Sequence, residues 1–359
     1  MTELIRRLDR TRFTVHVVCF EKAGAWLPRV VERAASVVEF PIRGFARPAT
    51  VIQMMAFARW CRRERIAVVQ TCDLYANVFG LPGAALAGVP VRIGSRRELN
   101  PDKSPGQITL QRQAYRCATK VVANSQAARA MLEAEGLATE SIAVIPNGVD
   151  ADAFAEPAVS RRRGRPVRTV ITVANLRPEK SHETLIAAAA HLHADFPDAR
   201  FQIVGDGPRR SELEALVRAR DLEGAVTFLG HREDVASLLA AADAFVLPSR
   251  SEAFPNGAIE AMAAGLPVIA ASVGGLLDLI DRGHTGLLVE PGNPEQLAAA
   301  LRELFVDQSR AAALGDAARL HVRQRYSFER MVQAFEDVYV AGLPAGALSA
   351  AHRAPATGI

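Results

Sequence analysis

The stretch PSRSEAFPNGAIEAMAAGLP, residues 248–267, decides the fold. It follows an apolar run at residues 244–247 that predicts a buried strand. Pro255 suits the first turn of a helix, and Gly265 followed by Pro267 ends that helix. A buried strand that leads through a short polar turn into a helix is typical of a parallel sheet covered by helices.

Short β-rich runs alternate with Ala- and Leu-rich helical patterns along the whole chain, which predicts parallel sheets with helices on their faces. The predicted strands are, by residue number, 14–20, 67–70, 91–94, 120–123 and 143–145 in the first half, and 169–173, 200–204, 226–229, 244–247 and 267–270 in the second. The fold class that follows is α/β, with two Rossmann-like domains that face each other across a cleft.

Domain boundaries follow from composition. We expect a first domain at residues 1–160, an Arg-rich linker at 161–168, a second domain at 169–342 and a disordered tail at 343–359. The chain opens inside a predicted helix. We therefore expect the first domain to lack its first strand and the Gly-rich turn that usually follows such a strand.

The composition excludes several classes of protein. Of 359 residues, 49% are hydrophobic and 23% are charged, which excludes wholesale disorder. Charges or prolines interrupt the long apolar stretches, so no membrane-spanning helix is expected. The four cysteines form no Cys-x-x-Cys pair, which favours reduced thiols in a cytoplasmic protein without a structural zinc site.

Charge is distributed unevenly. Residues 1–160 carry a net charge of +6, residues 161–168 carry +5 and residues 169–359 carry −7, for a total of +4. The basic first half predicts either an anionic partner, such as an anionic membrane surface, or only a solvated Arg-rich surface. The helix predicted over residues 49–64 ends in Arg62 and Arg63; we expect its apolar side to pack in the core, with peripheral membrane docking as the alternative. We expect no nucleic acid as a partner.

The turn at residues 252–256 lies at a predicted helix N-terminus, where free backbone N–H groups attract an anion. Glu252 lies just outside the helix and Glu260 about a turn and a half further along it. A carboxylate there can accept hydrogen bonds from paired hydroxyls, which is how a ribose is held. The alternative interpretation is a surface helix with two incidental glutamates.

Two further strand-to-helix loops carry polar residues suited to a diphosphate. In VANLRPEKSH, residues 173–182, Arg177 and Lys180 supply two cations, each worth roughly 1.5–3 kcal/mol in charge-assisted bonds. In IVGDGPRR, residues 203–210, the last position is Arg where a dinucleotide fingerprint needs Gly or Ala. This second loop predicts a tight turn that lets backbone approach a ligand. For either loop alone, a solvated turn is the alternative.

Together these residues resemble glycosyltransferase family 4, whose members have the GT-B fold. The resemblance covers almost the whole chain and is sharpest over residues 170–294. Glu252 and Glu260 match the family's Glu-x7-Glu pair, and residues 175–180 match its Arg-x4-Lys loop, with Asn175 first and Lys180 last. The resemblance implies retaining transfer of a sugar from a nucleotide-diphosphate sugar, such as a UDP-sugar, without a metal or other cofactor.

The resemblance also implies a role for each matched residue. Lys180 and Arg177 would steady the diphosphate, while Glu252 would contact the donor sugar and Glu260 the ribose. The other implied donor-binding residues are Ala253, Phe254, Pro255 and Asn256 in the turn, Asn175, Gly205, Asp206 and Gly207 in the two loops, and His231 and Arg232 near the base. Fixed cations and a helix N-terminus would stabilise the charge that develops on the leaving diphosphate in place of Mg²⁺.

The expected acceptor is a glycan or a lipid-linked molecule of polysaccharide or cell-envelope synthesis, reached from the cytoplasm or the inner face of the membrane. Two alternatives stay open. One is a metal-dependent transferase that uses Asp150 and Asp152. The other is a nucleotide-sugar-binding protein without turnover, its acceptor half impaired. A hydride-transferring dehydrogenase rests only on Gly205 and Gly207 and is disfavoured.

Overall fold

The computed structural model describes residues 1–45, 47–99, 103–154 and 166–344. The chain divides into two units. Unit 1 comprises residues 1–124, 129–145 and 328 onward, and unit 2 comprises residues 125–128 and 146–327. The predicted linker at 161–168 and the predicted tail at 343–359 lie largely outside the described residues.

Unit 1 contains two parallel sheets. Strand β1 (His16–Cys19) pairs with β2 (Ser36–Glu39), and β3 (Val68–Gln70), β4 (Val91–Arg96), β5 (Lys120–Ala123) and β6 (Ile142–Val144) form a four-stranded sheet in that order. Among the described residues no β-ladder joins β1 to β3. Strands β4 and β5 are mostly buried, whereas every residue of β1 and β3 is only half-buried. The absence of an opening strand stays a prediction.

The helices of unit 1 begin and end where the sequence supplies caps. They are α1 (Thr2–Arg7), α2 (Leu27–Val31), α3 (Pro48–Arg63), α4 (Leu74–Ala87), α5 (Pro105–Tyr115) and α6 (Gln126–Ala134), which lies mostly in this unit. The Asp73 carboxylate accepts the N–H of Ala76 at 2.8 Å at the start of α4, and Gly88 ends that helix in the left-handed conformation. Ser104 and Gln107 form a capping box at the start of α5.

Unit 2 is built on one parallel sheet of six strands. In chain order they are β7 (Thr169–Val173), β8 (Arg200–Val204), β9 (Val226–Gly230), β10 (Ala244–Leu247), β11 (Val268–Ala271) and β12 (Leu287–Val289), and their order in the sheet is β12-β11-β10-β7-β8-β9. Every predicted strand is present in the two units, with ends that differ by at most two residues, but β2 and β12 are not among the predicted strands.

Helices cover both faces of the unit 2 sheet. They are α7 (His182–His193), α8 (Arg210–Arg218), α9 (Val235–Ala241), α10 (Asn256–Ala263), α11 (Leu276–Leu279), α12 (Pro294–Val306) and α13 (Gln308–Arg325). Val170 packs with Leu185 and Leu301 in one apolar cluster, whereas its neighbour Ile171 packs with Ile259 in the other, because successive strand residues point to opposite faces.

The last helix, α14 (Phe328–Ala341), belongs to unit 1 and not to the predicted second domain. Its Tyr339 packs with Ile93 in a core cluster of unit 1. Its buried Glu336 forms an ion pair with Arg12, with an N–O distance of 2.8 Å. An amphipathic pattern shows which side of a helix is apolar, but not which core receives it. Among the described helices, none is long and apolar enough to cross a bilayer.

Residues 146–154 likewise belong to unit 2, although the predicted first domain includes them. The backbone N–H of Val149 donates to the carbonyl of Tyr326 at 2.9 Å. Val149 is 5% exposed and packs in the same cluster as Phe254 and Ile171. The predicted boundary follows a change in composition, whereas the division into two units follows contacts such as these.

Candidate functional site

The polar turn after β10 leads into the N-terminus of α10. Strand β10 ends at Leu247, and α10 begins at Asn256, one residue after extended Pro255. The N–H groups of the first helical turn have no partner inside the helix and point out of its end. They create a partial positive charge at the carboxyl end of β10, where the sequence predicts an anion.

Lys180 and Glu252, 72 residues apart in the chain, form an ion pair in which Nζ lies 2.6 Å from Oε1. The hydroxyl of Ser249 donates to the same carboxylate oxygen at 2.7 Å. Glu252 is only 5% exposed, so these bonds offset the desolvation of its charge and fix its position. Lys180, Arg177 and Glu252 are the three residues predicted to be catalytic, and the structure brings the first and the last of them into contact.

Backbone hydrogen bonds hold the loop that carries Lys180. The N–H of Leu176 donates to the carbonyl of Asp206 at 3.0 Å, and the carbonyl of Leu176 accepts the N–H of Arg209 at 3.1 Å. The two loops that the sequence predicts as separate diphosphate candidates are therefore one hydrogen-bonded structure within unit 2.

Glycine is required where these two loops meet. Gly205 has φ +133°, and a Cβ built on it would lie 2.0 Å from the carbonyl oxygen of Ala174. A Cβ on Gly207 would lie 2.7 Å from the carbonyl oxygen of Leu176. The close approach that both glycines allow is to the neighbouring loop of this chain, and Asp206 accepts the N–H of Gly207 at 2.7 Å. A direct role of these three residues in ligand binding stays a prediction.

Arg177 and Asn175 lie on the exposed side of the same loop. Within the described part of the chain, neither side chain forms a hydrogen bond or ion pair, and Arg177 does not join the Lys180–Glu252 pair. An exposed guanidinium without a protein partner is accessible to an anion. The assignment of Arg177 to the diphosphate stays a prediction.

Glu260 lies on α10, four residues after Asn256. Burial raises the pKa of Glu260 from 4.5 to about 7, because the surrounding protein solvates its charge poorly. The side-chain oxygen of Asn256 accepts a hydrogen bond from the Asn147 amide at 2.8 Å, a contact without a sequence signal. The partly buried Glu260 carboxylate is suited to hydroxyl donors, which would favour its charged form.

His231 and Arg232 follow the end of β9 and are both exposed. Arg232 forms hydrogen bonds of 2.7 and 2.6 Å with Asp234, and these bonds raise the pKa of Arg232. Among the described residues, neither His231 nor Arg232 contacts the Lys180–Glu252 pair through a hydrogen bond or ion pair. Their assignment to the base stays a prediction.

The structure contains a charged network beside Lys180 whose residues the sequence analysis did not select. Arg209 contacts the Glu183 carboxylate at 2.6 Å, and Arg250 contacts it at 3.3 Å. Arg250 also donates to the Ser181 hydroxyl at 3.1 Å. The only available sequence signal is that these residues follow strand ends, which does not say that they meet.

Asp150 and Asp152, the candidate metal ligands, have structural partners. Asp150 accepts the N–H of Ala153 at 3.3 Å, and Asp152 forms an ion pair with Arg323 at 3.2 Å. Among residues 1–45, 47–99, 103–154 and 166–344, no three or more His, Cys, Asp or Glu side chains cluster as a metal site. Both aspartates thus have partners within the protein, and a metal-dependent reaction stays the alternative prediction.

Comparison with known families gives two matches. The family model described as Glycosyltransferase Family 4 matches residues 1–153, and the model described as Glycosyl transferases group 1 matches residues 160–321. D-inositol 3-phosphate glycosyltransferase of Geodermatophilus obscurus is 32% identical over 319 residues, which cover 83% of this chain and 67% of that protein. The chain belongs to glycosyltransferase family 4, as its motifs predict.

One further curated relative matches only part of its length, whereas a solved structure matches over nearly the whole chain. N-acetyl-alpha-D-glucosaminyl L-malate synthase of Bacillus anthracis is 34% identical over 172 residues, and the match spans less than half of that relative, 45% of its length. The solved structure of Anabaena HepE in complex with UDP-glucose has a TM-score of 0.82 at 24% identity and covers 95% of this chain and 96% of that one. The likeness to HepE confirms the predicted GT-B fold class.

Proposed function

We propose that this protein is a retaining glycosyltransferase that moves a sugar from a nucleotide-diphosphate sugar to an acceptor without a divalent metal. The observation that carries the proposal is the Lys180–Glu252 ion pair beside the N-terminus of α10. A lysine and a helix N-terminus at one strand edge suit a diphosphate. The buried carboxylate between them suits the hydroxyls of a sugar.

In this proposal the chain supplies the charge that a metal would otherwise supply. Negative charge develops on the diphosphate as the glycosidic bond breaks, and Lys180, exposed Arg177 and the α10 N-terminus would stabilise it. Glu252, fixed by Ser249, would position the donor sugar. Glu260 would accept the ribose hydroxyls.

The rest of the donor site would consist mainly of backbone. The proposed contacts with phosphate and hexose come from Ala253, Phe254, Pro255 and Asn256, and the supporting loops contain Asn175, Gly205, Asp206 and Gly207. His231 and Arg232 would lie near the base. We propose a UDP-sugar as donor because the similar HepE structure is a complex with UDP-glucose.

The proposed acceptor is an anionic glycan precursor or a lipid-linked molecule of cell-envelope polysaccharide synthesis. Support comes from the net charge of +6 on residues 1–160. It also comes from two relatives whose names contain the anionic compounds inositol 3-phosphate and malate. We place the reaction in the cytoplasm, with peripheral contact at an anionic membrane.

The test measures donor hydrolysis and transfer by the full chain in EDTA. A thermal-shift panel of nucleotide sugars first identifies the donor, since a ligand at 100 times its Kd stabilises the folded state by about 2.7 kcal/mol. Glu252→Gln and Lys180→Met should each lower kcat about 100- to 1,000-fold. The matched controls, Glu223→Gln and Lys22→Met, should retain the wild-type rate. NMR of the product should show the donor's anomeric configuration.

Three outcomes would contradict the proposal: unchanged rates in both site variants, activity that is lost in EDTA and restored by Mg²⁺, or an inverted product. Donor binding without transfer to any acceptor extract would favour the alternative of a binding protein without turnover.

A further inference from the structure

The outer face of α3 in unit 1 combines exposed apolar side chains with arginines. The helix has 16 residues and contains no Asp or Glu. Its inner side carries Phe57, Trp60 and Cys61, which are at most 7% exposed and pack in a core cluster of unit 1. The apolar side of α3 therefore packs in the core, as the sequence predicts. The helix has further apolar residues that are not part of this side.

Three more apolar residues point away from this core. Val51 is 58% exposed, Ile52 is 64% exposed and Met55 is 42% exposed. At 100° per residue all three lie within an arc of about 100°, opposite the buried side. A helix with apolar side chains on its outside as well as its inside is typical of a surface that meets a second apolar phase.

Arginines flank this apolar group on the same face. Arg59 follows Met55 by one turn, and Arg63 follows Arg59 by another turn, while Arg47 lies just before the helix. Within the described residues, the side chains of Arg47 and Arg59 have no ion-pair partner, and Arg63 contacts only the exposed Glu64, at 2.9 Å. The face thus has excess positive charge on both sides of an apolar centre.

The start of α4 carries another exposed aromatic side chain. Tyr75 is 50% exposed, and its ring stacks on that of Phe45, with centroids 5.4 Å apart and an interplanar angle of 18°. In the chain, α3 follows β2 and α4 follows β3. A tyrosine with an apolar ring and an exposed hydroxyl suits the boundary between headgroups and acyl chains.

We infer that Val51, Ile52 and Met55 on α3 dock on an anionic lipid bilayer, with Arg47, Arg59 and Arg63 contacting lipid phosphates. Charge complementarity selects this occupant. A second copy would bring two rows of arginines together without an acidic residue on the helix to meet them. A neutral groove on another protein would offer the arginines no negatively charged partner. Long arginine side chains can place their stems along the apolar surface and their guanidinium groups at the headgroups.

Docking itself does not depend on sugar transfer; only its use, to give unit 1 access to lipid-linked acceptors, rests on the proposed function. Donor binding by unit 2 and vesicle binding by α3 involve different residues. Failure of one can therefore be distinguished from failure of the other.

The experiment is flotation of the full chain with vesicles of phosphatidylcholine alone or mixed with phosphatidylglycerol. We expect binding only to the anionic vesicles, and weaker binding in about 0.5 M NaCl. Arg59→Gln/Arg63→Gln should weaken partitioning about 30-fold, and Ile52→Gln/Met55→Gln at least about tenfold.

The controls change exposed residues of unit 2. Arg218→Gln/Arg220→Gln removes the same charge, and Val306→Gln/Leu320→Gln removes apolar side chains that are 71% and 58% exposed. Both should partition within about twofold of wild type. A donor-induced thermal shift that persists in the α3 variants shows that unit 2 is intact.

Equal partitioning of all variants, or equal binding to neutral vesicles, would overturn the inference. So would concentration-dependent dimers that Ile52→Gln/Met55→Gln abolishes while vesicles bind none of the proteins, because a second copy would then be the occupant. Absence of a donor shift in every preparation would instead count against the proposed function alone.

Discussion

The two units differ in what their glycines touch. In unit 2, a Cβ on Gly275 would lie 2.0 Å from the carbonyl oxygen of Ala253, and one on Gly205 would meet a backbone carbonyl equally closely. In unit 1, a Cβ on Gly83 would meet the ring of Phe57 at 2.7 Å, and one on Gly94 would meet a tyrosine ring. At these glycines of unit 2, one backbone segment therefore packs directly on another. At those of unit 1, an aromatic side chain occupies the space that a Cβ would need.

The difference shows where unit 2 is least adaptable. A side chain can change rotamer to accept an extra methyl group, but a backbone carbonyl can move only if its whole loop moves. The backbone contacts of unit 2 involve the loops that carry Ala174 and Ala253, which flank the Lys180–Glu252 pair. Backbone contacts within unit 2 consequently restrict the movement of both loops.

Gly275→Ala should have the largest effect. The new Cβ would collide with the Ala253 carbonyl, and we expect a loss of about 3 kcal/mol in the free energy of unfolding. Donor binding should weaken as well, because the turn beside α10 would shift. Denaturant titration of the full chain and the thermal-shift assay measure the two effects.

Two matched substitutions calibrate this prediction. Gly224→Ala, where a Cβ would meet no atom within 4 Å, should change stability by no more than about 0.5 kcal/mol. Gly83→Ala should cost less than Gly275→Ala, since the Phe57 ring can turn and alanine favours the helix. If Gly83→Ala were the more damaging of the two, the contrast between the units would be wrong.

Glu260→Gln should stabilise the ligand-free protein in a pH-dependent way. The pKa of Glu260 rises from 4.5 to about 7 on folding, so between these values the folded chain keeps a proton that the unfolded chain has released. The wild type thus loses stability as the pH rises through this range, by up to roughly 3 kcal/mol. Glu260→Gln has no ionisable group at this position and should not lose stability in this way.

Denaturant midpoints of both proteins at about pH 4 and pH 8 test this prediction. The advantage of Glu260→Gln should be full above pH 7 and absent below pH 4.5, while its donor affinity should fall. A pH-independent difference, or the same gain from the exposed substitution Glu223→Gln, would refute burial as the cause.

Arg12→Ala should destabilise unit 1 by about 2 kcal/mol. The Glu336 side chain is 7% exposed and would lose its guanidinium partner, whereas the 35% exposure of Arg12 lets water compensate in part. Arg6→Ala, whose partner Glu3 lies on the surface, should cost less than about 0.5 kcal/mol. Equal effects on the unfolding free energy would show that α14 is held without this pair.

The smallest expected change in stability concerns a feature of both units, a non-glycine residue in the left-handed conformation after a helix. Arg65 (φ 52°) and Asp221 (φ 54°) each follow a helix in the left-handed conformation. Arg65→Gly should stabilise the protein by about 0.5–1 kcal/mol, and Asp221→Gly by less, since Asp adopts this conformation more readily. Arg116→Gly, at a helix end with φ −64°, should destabilise it. Calorimetric midpoints suffice, and a gain from Arg116→Gly would contradict the strain argument.

Local sequence was enough for most of the secondary structure. Short β-rich runs of four or five residues predict five of the six strands of unit 2, and Pro255 and Gly265 predict the limits of α10 nearly to the residue. The weakly patterned β2 and β12 give no such signal. Lys180 and Glu252 could be selected from their residue types and their positions after strands, because parallel strands bring such loops to one edge.

What the sequence determined by itself is the alternation of elements, the family and which loops are candidates for the site, since these depend on residues close together in the chain. Only the tertiary structure decided that Ser249 joins Lys180 on Glu252, that α14 completes unit 1, and that Val51 and Ile52 stay outside the core. The physical reason is that the chemistry of a side chain, apolar or charged, determines only the kind of partner that stabilises it. Which partner it obtains depends on packing between residues far apart in sequence.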